Sequence, residues 1–104
     1  MASSKEYLDF IQDQLSGLDE IRWRAMMGEY ILYYKGKVGG GIYDDRFLVK
    51  PVKAAEAMMP GAGRELPYEG AKEMLLVDNL EDRAFLRKLI EAVCAELPDP
   101  KKKR

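Results

Sequence analysis

Between Tyr33 and Phe47 the chain reads YYKGKVGGGIYDDRF. A lysine beside a glycine, three glycines in a row and paired aspartates are the materials of phosphate loops and divalent-metal sites. Bare backbone N–H groups and a cation hold an anion, and carboxylates hold a metal. The spacing rejects the phosphate loop. In the pattern G-x-x-x-x-G-K-[ST], Ile31 stands where the first glycine belongs and Val38 replaces the hydroxyl residue after Lys37. No helical pattern follows, so no helix N-terminus is available to receive a phosphate. Lys35-Gly36 and Asp44-Asp45 instead fall between apolar runs, where these residue types make two-residue hairpin turns.

The rest of the chain is poor in catalytic material. Histidine and threonine are absent, the serines are Ser3, Ser4 and Ser16, and Cys94 is the single cysteine. Ser–His and Cys–His nucleophile pairs and histidine-ligated zinc therefore cannot form within one chain. A non-enzymatic protein without cofactor or metal is the expectation. Lysine, tyrosine and carboxylates remain, and the alternative is a small-ligand-binding or catalytic cleft near Arg24, Asp44, Asp45, Lys50 and Tyr68. Cys94 sits beside a helical apolar stripe with no base or basic cluster near it in sequence, which reads as a structural thiol.

The elements that would position these groups follow from periodicity. SSKEYLDFIQDQLSGL carries Leu8, Ile11, Leu15 and Leu18 at helical spacing, with Ser3 and Glu6 as a capping box and Gly17 as a left-handed stop. IRWRAMM, EYILYY, KVGGGIY and RFLVK are short, rich in aromatic and β-branched residues and separated by turn signals, hence four strands. PVKAAEAMM predicts a short helix ended by Pro60, and KEMLLVD a further strand. The final helix carries Leu86, Leu89, Val93 and Leu97, with Asp78 and Glu81 at its start and Pro98 at its end. Grouped strands predict the α+β class: a two-layer fold, an antiparallel sheet with helices on one side, in the order α-β-β-β-β-α-β-α.

Two-residue turns also predict register. One face then holds Ile31, Tyr33, Val38, Gly40, Ile42, Phe47 and Val49, the other Tyr30, Leu32, Tyr34, Gly39, Gly41, Tyr43 and Leu48. Both faces are apolar, more than one helical layer covers. Tyr30, Tyr34, Tyr43 and Leu48 are accordingly the candidate protein interface, and a homodimer is expected. The competing readings are that a one-residue slip in strand register exchanges the two faces, that residues 52–70 cover the second face, or that the glycines let a helix of the same chain approach closely.

Length and charge bound the rest. The 104 residues suit one domain, placed at 1–97, with 98–104 as a basic disordered tail. The last four residues are all cationic, so the formal charge of −1 becomes −5 once they are set aside. Four phosphate contacts give a log–log salt slope of about −3.6, so direct nucleic-acid binding is expected to be weak at most. The longest apolar run, Tyr30 to Tyr34, falls far short of the ~20 residues of a membrane span. MASSKEYLDF lacks the pattern of a secretory signal, and a cytoplasmic location without membrane contact is expected.

The stretch RAMMGEYILYYKGKVGGGIYDDRFLVK resembles the N-terminal domain of the TfoX/Sxy competence regulators. The matching positions are Arg24, Met26, Met27, Gly28, Tyr30, Gly36, Asp44, Asp45, Phe47 and Lys50, with later likeness in MMP, LPYEG and EMLLVD. The resemblance implies a two-layer α+β fold like that of secretion chaperones. It also implies a role in regulating DNA-uptake genes together with the cyclic-AMP receptor protein. No catalytic residues come with it. Longer members add a C-terminal helical domain, and members often carry a large apolar residue near the position of Gly39.

Overall fold

The computed structural model describes residues 4–26 and 28–97. Helix α1 (Lys5–Gln14) leads into strands β1 (Ile21–Met26), β2 (Glu29–Tyr34), β3 (Lys37–Ile42) and β4 (Phe47–Val49). A short helix α2 (Lys53–Met58), strands β5 (Arg64–Glu65) and β6 (Met74–Leu76) and helix α3 (Arg83–Ala95) complete the chain. Every strand pair is antiparallel, in the order β1-β2-β3-β4-β6-β5. The α+β class and the helices on one side are as expected. The two-residue β5 is an addition, too short to leave a periodic signal.

One core lies between the sheet and the helices. Ile11 and Leu15 from the first helical segment and Leu86, Leu89, Ile90 and Val93 from α3 are buried against Leu32, Ile42, Phe47 and Val49. Each such side chain contributes about 1.5–3 kcal/mol by leaving water. The polar group in this layer is answered: buried Gln14 donates from Nε2 to the Leu80 carbonyl at 2.7 Å.

The caps lie away from the expected positions. Ser4 caps α1, its hydroxyl accepting from the Tyr7 N–H at 3.1 Å. Asp82, not Asp78, caps α3, accepting from the Phe85 N–H at 3.0 Å. Gly17 is not left-handed; a Cβ there would meet the Arg87 side chain, so α3 passes close by. The expectations placed on Ser3, Met27, Pro98 and the cationic tail lie outside the described residues.

Both hairpin turns form as read. Lys35 and Gly36 take φ of 53° and 82°, Asp44 and Asp45 54° and 57°, the doubly left-handed geometry of a type I′ turn. The register between β2 and β3, however, shifts between Leu32 and Tyr33. Tyr33 pairs with Val38, but Leu32 pairs with Gly40, leaving Gly39 as an extra residue. This bulge corrects the face assignment, because one added residue exchanges inside and outside along the rest of the pair. The helix face joins Leu32 and Tyr34 to Ile42, Phe47 and Val49. The outer face joins Ile31, Tyr33 and Val38 to Tyr43 and Leu48.

Candidate functional site

The four candidate interface residues are divided between the layers. Tyr34 is buried in the core, and half-buried Tyr30 packs against it. Tyr43 and Leu48 lie on the outer face, buried with Met74 in a second cluster. The four do not form one surface.

The outer face is covered only in part by its own chain. The segment from Pro67 to Met74 folds over its β4–β6 side, and the Tyr68 ring meets Tyr43 with centroids 6.3 Å apart and planes inclined at 55°. Tyr43 can lie along the sheet because Gly41 has no side chain; a Cβ there would sit 2.9 Å from the tyrosine hydroxyl. Burial raises the Tyr43 pKa above its ordinary value, and the neighbouring Tyr68, Glu29 and Tyr33 reinforce the shift.

Between this segment and the sheet runs a groove of about 650 Å³. Ile31, Tyr33 and Val38 form its floor, and Tyr68, Lys50 and Lys72 stand along its walls together with Glu73. Arg22 and Arg24 of β1 pair across the sheet with Tyr33 and Ile31, which sets both arginines on the same face at the groove's border. Both are exposed.

Lys50 and Tyr68 of the alternative cleft therefore both line the groove, with Arg24 on the neighbouring strand opposite Ile31. Asp44 and Asp45 do not join them. The Asp44 N–H donates to the Glu29 carboxylate at 3.0 Å, and the Asp45 carboxylate accepts from the Ser4 N–H at 2.8 Å, tying the turn to α1. Among the described residues no three Cys, Asp or Glu side chains are placed to hold a metal ion. Cys94 is buried under β3 and its pKa is raised by burial, with Lys37 and Lys50 opposing the shift.

Sequence reasoning missed Ile31, Tyr33 and Val38 as outer-face residues. The available signal was the run Gly39-Gly40-Gly41, since glycine inside a strand often marks a bulge. Lys72 and Pro67 carried no signal, because only the folded connection brings them over the sheet.

Fold and site together define a small α+β protein whose partly covered outer sheet face carries an open groove lined by tyrosines and bordered by cations. No protein-family model matches the chain, and no solved structure matches it. The sequence is 33% identical over 105 residues to an uncharacterized 12.7 kDa protein in the trpE 5′ region of Spirochaeta aurantia, covering all of this chain and 91% of that one. The chain belongs to the same family as that protein. Among the described residues no helix is long and apolar enough to cross a membrane.

Proposed function

We propose that the chain is a cytoplasmic, non-enzymatic protein-interaction module that acts as TfoX/Sxy N-terminal domains do. Its partner would be transcription machinery of the cyclic-AMP receptor protein type. The observation that carries this reading is the incompletely covered outer face, where Ile31, Tyr33 and Val38 stay half-exposed beside Tyr68. Half-buried aromatic and aliphatic side chains in a concave surface are what protein interfaces bury at their centre. The test is capture of partners from the native cell by the whole chain and by Val38→Asp. Loss of capture with an unchanged melting temperature supports the reading; capture that survives the substitution overturns it. Tyr34→Asp is unsuited to this purpose, because Tyr34 is in the core.

Self-association belongs to the same proposal and would use the open edge of β1, where Met26 is 46% exposed. An antiparallel register centred on Ala25 sets Arg24 opposite Met26. It keeps arginine from facing arginine, a juxtaposition that destabilises strand pairs.

A second reading, a small anionic ligand in the groove, is favoured by the presence of both Lys50 and Tyr68 in its lining and by a volume within the usual range of ligand pockets. A panel of metabolites, nucleotides and metals tests it. Binding at a hundredfold excess over Kd stabilises the fold by about 2.7 kcal/mol, and an unmoved melting temperature across the panel removes it.

A further inference from the structure

We infer that the outer groove receives a short acidic segment of a partner protein, anchored by an apolar side chain on the Ile31, Tyr33 and Val38 floor. This deepens the interaction-module reading and rests on it. The argument is charge complementarity. Set apart from its last four residues the chain carries a formal charge of −5, yet the border of this one groove gathers Arg22, Arg24, Lys50 and Lys72. None of these four makes an ion pair among the described residues. Arg46 is paired with Glu65, Arg64 with Glu56 and Arg83 with Asp13, while Lys53, Arg87 and Lys88, which likewise make no ion pair among the described residues, lie on the helices. The acid that lines the groove is Glu73.

Geometry says how such a segment sits. Arg22 and Arg24 are two residues apart on one strand and share a face, so they present cations at the side-chain repeat of an extended peptide. Lys50 and Lys72 line the groove against the covering segment. An extended chain lying between these two pairs would place alternate carboxylates at the border and an apolar side chain on the floor. The volume, about 650 Å³, admits a segment of a few residues rather than a domain face.

Single-stranded nucleic acid is the competing polyanion, and two observations disfavour it. Stacking of successive bases needs several open ring faces, whereas Tyr43 is 7% exposed and half-buried Tyr33 forms part of the floor, which leaves Tyr68, 63% exposed, as the single open ring among the aromatics lining the groove. Four cations on an acidic body also supply few phosphate contacts.

The test is fluorescence anisotropy with the whole chain and short labelled probes. One probe alternates Asp and Glu around a Phe-Leu pair, a second has Asn and Gln in place of the acids, a third has Gly-Ser in place of Phe-Leu, and a fourth is a single-stranded oligonucleotide of equal charge. The first is expected to bind, and the second and third to bind at least roughly tenfold more weakly, because both charge and anchor contribute. Arg22→Gln/Arg24→Gln and, separately, Lys50→Gln/Lys72→Gln should each weaken the first probe by roughly tenfold, while Lys53→Gln on α2 leaves it unchanged. Equal binding of the amide probe, tighter binding of the oligonucleotide, or indifference to the arginine pair overturns the inference. If Val38→Asp abolishes partner capture but no acidic probe binds, the module stands and the acidic segment falls. If capture survives Val38→Asp and no probe binds, both fall.

Discussion

Gly39 and Cys94 touch across the two layers, and the glycine is there for space rather than for backbone freedom. A Cβ at Gly39 would lie 2.9 Å from the Cys94 sulfur and 3.8 Å from Val93, while its φ is not left-handed. Gly39→Ala is therefore expected to cost about 1–3 kcal/mol through overpacking, and Cys94→Ala in the same chain to return most of it. Chemical denaturation of the double-mutant cycle measures this; purely additive effects would refute the contact. The thiol itself is expected to resist alkylation in the native protein and to react once unfolded. Burial raises the pKa of Cys94, and likewise of Tyr43 and Tyr7, so the folded state holds their protons more tightly than the unfolded chain. The stability linked to them is whole below the ordinary values, 9.0 for the thiol and 10.0 for the phenols, and is lost as pH rises through the raised ones. Melting temperature should fall on the alkaline side. Tyr43→Phe, which leaves no phenol to ionise, should flatten that fall, and a profile identical to wild type would argue against the burial effect.

At the scale of elements, the turns and caps decide. Lys35 holds a left-handed φ of 53° before Gly36, a conformation that asparagine tolerates better than lysine. Lys35→Asn is expected to stabilise the β2–β3 hairpin by about 0.5–1 kcal/mol, read as a rise in melting temperature of a few degrees. The same exchange at Asp45 is a poorer choice, because its carboxylate also receives the Ser4 N–H. Asp82→Ala should cost about 1 kcal/mol by leaving the first turn of α3 uncapped, whereas Asp78→Ala should be near neutral at the cap. The ion pair between Arg83 and Asp13, 2.6 Å long but more than half exposed, contributes at most about 1 kcal/mol. Equal losses at Asp78 and Asp82 would contradict the cap assignment.

For the whole molecule, the sheet has two apolar faces and one continuous layer of helices. The outer face is closed over its β4–β6 side by the Pro67–Met74 segment and left as a groove over β2 and β3. Residues 52–70 are thus not the cover that the sequence suggested: Val52, Ala55, Met58 and Met59 pack into the helix-side core, β5 joins the sheet edge, and the chain closes over the outer face from Pro67 onward. The proposed self-association gives a light-scattering mass near twice 11.9 kDa at high concentration. Ala25→Lys, which sets two lysines against each other at the centre of the paired edges, should return the monomer. A wild-type mass of 11.9 kDa at every concentration would remove the edge pairing and leave the groove untouched.

Element types were legible because periodicity and turn chemistry are local. The Leu86–Leu89–Val93 stripe, the two-residue turns at Lys35-Gly36 and Asp44-Asp45 and the α+β grouping depend on residues a few positions apart. The sequence also excluded a phosphate loop, because Ile31 and Val38 stand at two of its required positions, and Ser–His and Cys–His pairs within one chain, because histidine is absent. Which side of the sheet a residue faces was not local. One extra residue at Gly39 moved Tyr34 into the core and Ile31, Tyr33 and Val38 onto the outer surface. A strand alternates at every step, so a single bulge reverses the outcome while leaving composition and spacing unchanged. The groove depended on tertiary structure too: Lys50, Tyr68 and Lys72 come together only because the connection before β6 folds back over the sheet it has just left.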